Sequence, residues 1–167
     1  MTTISDLIQR HEGCRLTRYQ DSRGFWTIGY GHCIDGRAGC TDLDPSLYET
    51  DGSISQVTAD ALLQVDIANA MAPLVINCSP WFQSLDPVRQ AVLVDMSFEM
   101  GWPTLSTFVT FLGMVSAGNY LAAADDMLRT AWAGEVPVRA AEDAGMIRSG
   151  LWPLALQSAV APVSGIR

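Results

Sequence analysis

One segment of the chain is apolar on every side. Residues 88–100 follow Asp86-Pro87, which is a typical helix cap with proline at the first helical position. The apolar side chains of the segment are Val92, Leu93, Val94, Met96, Phe98 and Met100. Because a helix that is hydrophobic all round has to be enclosed by other elements, the sequence predicts a helical core built around these residues.

The chain in front of this segment combines a helix with a β-hairpin. A threonine cap and Gly13 bound a first helix at about residues 3–12. Residues 15–20 and 25–28 have strand-like composition, and the polar turn between them indicates a hairpin. Residues 29–52 are rich in glycine, aspartate and proline, and predict irregular loops.

The remainder of the chain is predicted to be helical. Ser55 is a suitable N-cap for a long amphipathic helix, which Pro73 should kink or end. Further helices are predicted at residues 107–116, 119–132 and 138–148. The 167 residues therefore predict one α+β domain with a cleft between two lobes. Its parts are the first helix, a β lobe at about residues 13–54 and a helical lobe at about residues 55–161.

The net charge of −8 limits the partners of the chain. Nucleic acid is excluded, because phosphate binding depends on clustered cations. No run of about 18 apolar residues and no signal-peptide pattern is visible, so we expect neither stable membrane association nor export by a leader. We expect a monomer that stays in the cytoplasm of the cell that makes it until something else releases it.

The four cysteines lack the spacing of a metal site, and we expect neither a metal nor another cofactor. Cys14, Cys33, Cys40 and Cys78 are predicted to be free thiols. The alternative for the middle pair is a disulfide across the short glycine-rich loop, formed only after release from a reducing cytosol.

Two carboxyl groups near the N-terminus form a candidate catalytic pair. Glycoside hydrolysis needs one carboxyl group that is protonated and a second acidic group that is ionised. Glu12 lies at the end of the first helix, whose negative dipole end favours the protonated form. Asp21 starts a polar turn, where ionisation is favoured. Taken alone, such a pair is more often two solvated surface groups.

The segment from Glu12 to His32 resembles the active-site segment of the T4-type phage lysozymes, glycoside hydrolase family 24. The signature of that family is Glu, eight residues, Asp, five residues, Thr. This chain has Glu12, Asp21 and Thr27 at those spacings without an insertion. Looser similarity continues as far as Trp152. The resemblance implies a lysozyme-like fold with a small N-terminal β lobe and a larger helical lobe.

The resemblance also implies roles for individual residues. Glu12 would be the general acid, Asp21 the second acidic group, and Thr27 the holder of the attacking water, with a hydroxyl able to donate to Asp21. Gly31 would leave the backbone bare beside the path of the sugar. The other substrate contacts of the family map onto Cys33, Phe98, Phe111 and Asp126.

Three supporting contacts follow from the same resemblance. His32 and Asp66 match a buried charge pair that joins the β lobe to the long helix. Arg139 matches an arginine that approaches the catalytic glutamate. Glu99 would accept a hydrogen bond from the indole N–H of Trp132.

The function implied by the resemblance is that of a muramidase acting on bacterial peptidoglycan, expected to invert the anomeric configuration. A phage or prophage endolysin, released through a holin-type lesion to lyse the host, is the leading expectation. A virion-associated or bacteriocin lysozyme module is an alternative with the same chemistry. A non-catalytic peptidoglycan-binding domain of the same fold is an alternative of a different class.

Overall fold

A computed structural model describes residues 2–157 of the chain. These residues form an α+β fold, as the sequence predicts, in which helices predominate and three strands form one antiparallel sheet. They divide into two compact units, the β unit (residues 8–69) and the helical unit (residues 2–7 and 70–157). Residues 158–161 of the predicted helical lobe lie outside the described residues, and the cleft stays a prediction.

The β unit contains the three strands and parts of the two helices that precede and follow them along the chain. Its elements are α1 (Ile4–Glu12), β1 (Arg15–Gln20), β2 (Trp26–Gly29), β3 (His32–Cys33) and α2 (Gln56–Asn77). The strands are antiparallel in the order β1-β2-β3, with Thr27 opposite Tyr19 on one side and opposite Cys33 on the other. The central strand therefore carries Thr27, which is buried.

The loop after β3 is more regular than its composition predicts. Two short 3₁₀ helices, Gly36–Ala38 and Pro45–Leu47, are capped by the carboxylates of Asp35 and Asp44. Cys33 and Cys40 form a disulfide across the first of them, so the prediction of a free thiol is wrong for this pair. The chain turns back here because the amide N–H of Cys40 donates to the carbonyl of Asp35, 3.3 Å away. Two cysteines elsewhere carry free thiols, exposed at Cys14 and buried at Cys78.

The helical unit is built around one central helix. Its further helices are α3 (Trp81–Ser84), α4 (Pro87–Leu105), α5 (Val109–Ser116), α6 (Tyr120–Met127), α7 (Ala131–Glu135), α8 (Pro137–Ser149) and α9 (Leu154–Gln157). The Asp86 carboxylate caps α4 by accepting from the N–H groups of Val88 and Arg89, each at 3.1 Å. Val92 and Leu93 are completely buried, and α8 packs against α4, α6 and α7. The predicted core helix is confirmed.

Two helix boundaries differ from the predicted ones. Helix α2 continues past Pro73 to Asn77, so the proline does not end it. A proline removes one backbone donor only, and Leu74 beside it is completely buried, which holds the helix in place. The predicted helix 119–132 is interrupted, because Thr130 accepts a hydrogen bond from the N–H of Ala133 at 3.2 Å and starts α7 as its cap.

Helix α2 is long and apolar enough to cross a membrane by length and composition alone, which the sequence analysis did not anticipate. Only 22% of its most apolar 18-residue window is buried. The helix nevertheless makes polar contacts inside the β unit, where Asp60 accepts from the hydroxyl of Tyr30 at 3.1 Å. These contacts lie in the first part of α2, up to Asn69, which belongs to the β unit.

The helical unit encloses a carboxyl group at its centre. Asp143 on α8 is completely buried. Burial is the main cause that raises its pKa well above the ordinary value, and the negative charge of Asp95 raises it further, while the positive charge of Arg139 acts against both. Burial of this carboxyl group therefore favours its protonated form.

Replacing Asp143 with Asn should therefore change how stability depends on pH. A carboxyl group whose pKa is raised by folding stabilises the folded state. This contribution is fully present at pH values below the ordinary carboxyl pKa, and it is lost as the pH rises through the folded-state pKa. We expect Asp143→Asn to become more stable relative to the unsubstituted protein with increasing pH, by at most about 1.4 kcal/mol per pH unit. Urea unfolding between pH 4.5 and 7.5 measures this difference.

Candidate active site

The backbone of Phe25 organises the turn between β1 and β2. Its N–H donates to Oδ1 of Asp21 at 2.8 Å, and its carbonyl accepts from the N–H of Asp21 at 2.9 Å. The N–H of Arg23 donates to the same Oδ1 at 2.9 Å. The Phe25 bond is the main cause that lowers the pKa of Asp21, and the Arg23 contacts add to it. Asp21 is therefore held ionised, as the sequence predicts.

Thr27 depends on the backbone of the same residue. Its hydroxyl donates to the carbonyl of Phe25 at 3.1 Å, where the sequence analysis expected the Asp21 carboxylate as acceptor. The carbonyl is two residues away on the same strand and is already fixed by the turn. The lone pairs of the Thr27 hydroxyl remain able to accept a hydrogen bond, which is what a water-holding residue requires.

Glu12 ends α1, and Gly31 lies beside its carboxylate. A Cβ placed on Gly31 would be 3.8 Å from Oε2 of Glu12, and the φ of Gly31 is +92°, in the region that favours glycine. The negative charge of Glu12 also raises the pKa of Tyr19, second only to burial. Gly31 therefore leaves space open next to the proposed acid, and its place beside the path of the sugar stays a prediction.

The His32–Asp66 pair is present. Nδ1 of His32 lies 2.8 Å from Oδ2 of Asp66, and both side chains are about one-fifth exposed, so the pair is half-buried. It connects β3 to α2, as the sequence predicts.

Arg139 holds two acidic side chains of α4. Its guanidinium forms two bonds with the completely buried Asp95, at 2.7 and 2.9 Å, and an ion pair with Glu99. The predicted bond from Trp132 to Glu99 is wrong, since the buried indole N–H has no hydrogen-bond partner within residues 2–157. A guanidinium binds a carboxylate more strongly than a neutral indole N–H does. The approach of Arg139 to Glu12 stays a prediction.

The residues proposed as substrate contacts fall into different environments. Phe111 is completely buried in the helical unit and cannot meet a substrate there, which corrects its assignment. Phe108, the residue just before α5, instead lines an open pocket of about 490 Å³. Asp126 and Trp132 line the same pocket. Phe98 is half-buried on α4. Cys33 contributes its sulfur to the disulfide.

Comparison with known families decides the class of the protein. Residues 9–143 match the phage lysozyme family, a span that contains the hairpin, Glu12, Asp21 and Thr27. The chain belongs to the phage lysozyme family. It is therefore classed with the muramidases, which are glycosidases, and the proposed catalytic residues lie inside the matched region.

Individual relatives come from different biological settings. The chain is 25% identical to "Probable T4-type lysozyme 1" of Dictyostelium discoideum, covering 90% of this chain and 96% of that protein. It is 31% identical to an endolysin of Acyrthosiphon pisum secondary endosymbiont phage 1, covering 74% and 73%. It is 27% identical to the pre-baseplate central spike protein Gp5 of Enterobacteria phage T4, covering 71% of this chain and 23% of that protein.

Several residues that hold the structure of the β unit or of the helical unit were not found by the sequence analysis. Phe25 acts through its backbone, so its residue type gives no signal. Asp95 lies inside an apolar helix, and a lone carboxylate at such a position is a usable signal for a buried partner. Asp35 and Arg37 lie two residues apart in a glycine-rich loop, where an acidic residue two positions before an arginine is common in ordinary turns.

Replacing Gly31 with Ala should reduce activity by more than it reduces stability. The positive φ costs about 1–2 kcal/mol for any L side chain, and the added methyl group would occupy space beside Glu12. Gly52→Ala is the matched control, since Gly52 has φ +81° and nothing within 4 Å of an added Cβ. We expect similar losses of stability, but a fall in kcat/KM of about tenfold or more only in Gly31→Ala. Equal activities would contradict the placement of Glu12 at the reaction site.

Proposed function

We propose that this protein hydrolyses the β-1,4 bond between N-acetylmuramic acid and N-acetylglucosamine in bacterial peptidoglycan. The observation that carries the proposal is that Asp21 and Thr27 are both bonded to the backbone of Phe25. This arrangement lies within the span that matches the phage lysozyme family. A binding domain without activity would have no need for it.

In the proposed reaction Glu12 protonates the oxygen of the leaving sugar. Asp21, kept ionised by the Phe25 N–H, takes a proton from a water molecule. The oxygen of that water then attacks the anomeric carbon. The Thr27 hydroxyl orients that water by accepting its hydrogen bond while donating to the Phe25 carbonyl. Direct attack of water on the face opposite the leaving group inverts the anomeric configuration.

The biological role that we propose is host cell lysis as an endolysin. The similarity to a phage endolysin supports this role. We further propose that the protein acts as a monomer without a cofactor, binds no nucleic acid and has no stable membrane association. In this proposal it stays in the host cytoplasm until a holin-type lesion gives it access to the cell wall.

A virion-associated lysozyme is the second candidate. The observation that favours it is the similarity to a region of a phage baseplate spike protein. The two candidates share their chemistry, so enzymatic assays do not separate them. Mass spectrometry of purified virions does, because only a virion-associated enzyme is present in the particle.

Replacing Glu12 with Gln should abolish most of the activity while the protein still folds. An amide cannot deliver a proton, so we expect kcat to fall by about 10²- to 10⁴-fold. Glu49→Gln, which changes an exposed glutamate of the same unit, is the control and should keep its activity. Rates are measured as loss of turbidity of purified peptidoglycan. Easily measured activity of Glu12→Gln would remove Glu12 from the role of the acid.

The products of digestion test the nucleophile. We expect ordinary reducing N-acetylmuramic acid ends that are initially in the α configuration, because water is held by Asp21 and Thr27 and attacks opposite the leaving group. Mass spectrometry separates these products from 1,6-anhydro ends, and NMR of a fresh digest gives the anomer. A majority of anhydro products would overturn hydrolysis, whereas an initial β anomer would overturn inversion alone.

A further inference from the structure

The loop that follows β3 contains an ion pair in which the carboxylate of Asp35 is buried and the side chain of Arg37 is exposed. Asp35 is only 4% exposed, although it lies in a loop. Both of its carboxylate oxygens are bonded to the Arg37 side chain, Oδ1 to Nε at 3.0 Å and Oδ2 to Nη2 at 2.6 Å. This forked contact is the main cause that lowers the pKa of Asp35, so the pair is charged on both sides.

Asp35 holds the strand that carries Thr27. Its Oδ2 accepts a hydrogen bond from the N–H of Trp26 at 2.9 Å. The neighbouring Ile34 donates its own N–H to the carbonyl of Trp26, also at 2.9 Å. The N–H and the carbonyl of Trp26 are therefore both fixed by two successive residues of the loop.

Arg37 holds the turn that carries Asp21. Its Nη2 donates to the carbonyl of Gly24 at 2.8 Å in addition to its bond with Asp35. Its guanidinium also lies 5.8 Å from the centre of the Phe25 ring. The pair thus bonds the carbonyl of Gly24 and the N–H of Trp26, which belong to the two peptide groups on either side of Phe25, and limits the rotation of both.

We infer that Asp35 and Arg37 are positioning residues for the reaction, because they fix the Phe25 backbone on which Asp21 and Thr27 both depend. The inference rests on the proposed function. Neither side chain touches a reacting atom; they act through Gly24 and Trp26. The Cys33–Cys40 disulfide closes the loop around the pair and limits how far it can move from the hairpin.

The geometry of Arg37 makes the inference testable with a conservative change. An arginine fork reaches both oxygens of Asp35 and the Gly24 carbonyl at once, whereas a lysine ammonium is a point charge on a flexible stem. Arg37→Lys keeps the charge and loses the fork. A purely electrostatic role would be restored by lysine, but a positioning role would not.

The experiment compares Arg37→Lys and Arg37→Ala with Arg18→Ala. Arg18 is the matched control, since it pairs with Asp42 at 2.5 Å in the same unit and makes no contact of the kind that Arg37 makes with the turn. With a soluble glycan oligomer as substrate, we expect both Arg37 variants to lose kcat by about tenfold to a hundredfold, with KM within about twofold. Arg18→Ala should keep both constants.

A second measurement does not depend on activity. NMR titration of the Asp21 carboxyl group should show its pKa moving up towards the ordinary value in both Arg37 variants, because the Phe25 N–H is held less firmly. The amide proton of Phe25 should exchange faster. If the unsubstituted protein cleaves no peptidoglycan, the proposed function fails, and this titration still decides whether the pair positions Asp21.

The inference is overturned by any of three results. The first is a folded Arg37→Ala or Arg37→Lys with unchanged kcat and an unchanged Asp21 titration. The second is restoration of full kcat by Arg37→Lys, which would show that charge alone is sufficient. The third is an equal loss of kcat in Arg18→Ala, which would trace the effect to general destabilisation of the β unit. If Arg37→Ala does not fold, Arg37→Lys carries the test alone.

Discussion

The backbone of Phe25 is bonded to both proposed water-activating residues. Its N–H fixes the carboxylate of Asp21, and its carbonyl fixes the hydroxyl of Thr27. A small displacement of this one residue would therefore move both side chains together. Because catalysis depends on alignment within a fraction of an ångström, the surroundings of Phe25 have to be rigid. The antiparallel sheet, the Asp35–Arg37 pair and the disulfide all contribute to that rigidity.

The protein handles its buried carboxyl groups in two different ways. Asp35 and Asp95 are each bound by an arginine through two nitrogens. Burial and the charge of Asp95 raise the pKa of Asp143, which favours its protonated form, while the charge of Arg139 acts against both. The chain contains arginine but no lysine. Lysine could not reproduce these forked contacts, since it presents a single ammonium group.

The helical unit contains a pocket, whereas the proposed catalytic residues lie in the β unit. Asp126 and Trp132 line that pocket together with Phe108, and Phe111 is enclosed in the core behind it. The aromatic side chain next to open space is thus not the one that the family resemblance indicated. Helix α5 begins at Val109, so Phe108 belongs to its cap, where side chains are less constrained to face the core.

The sequence by itself determined the elements and the catalytic signature. Helix α1, the hairpin and α4 follow from local periodicity and capping. Glu12, Asp21 and Thr27 lie within sixteen consecutive residues, where their match to the family signature singles them out. The tertiary structure decided the partners. Three of these partners depend on which competing group comes within bonding distance: the disulfide partner of Cys33, which is Cys40, the acceptor of the Thr27 hydroxyl, and the partner of Glu99, which is Arg139 and not Trp132. Local sequence sets conformation over a few residues, but competition among donors and acceptors is resolved only after distant segments have packed together.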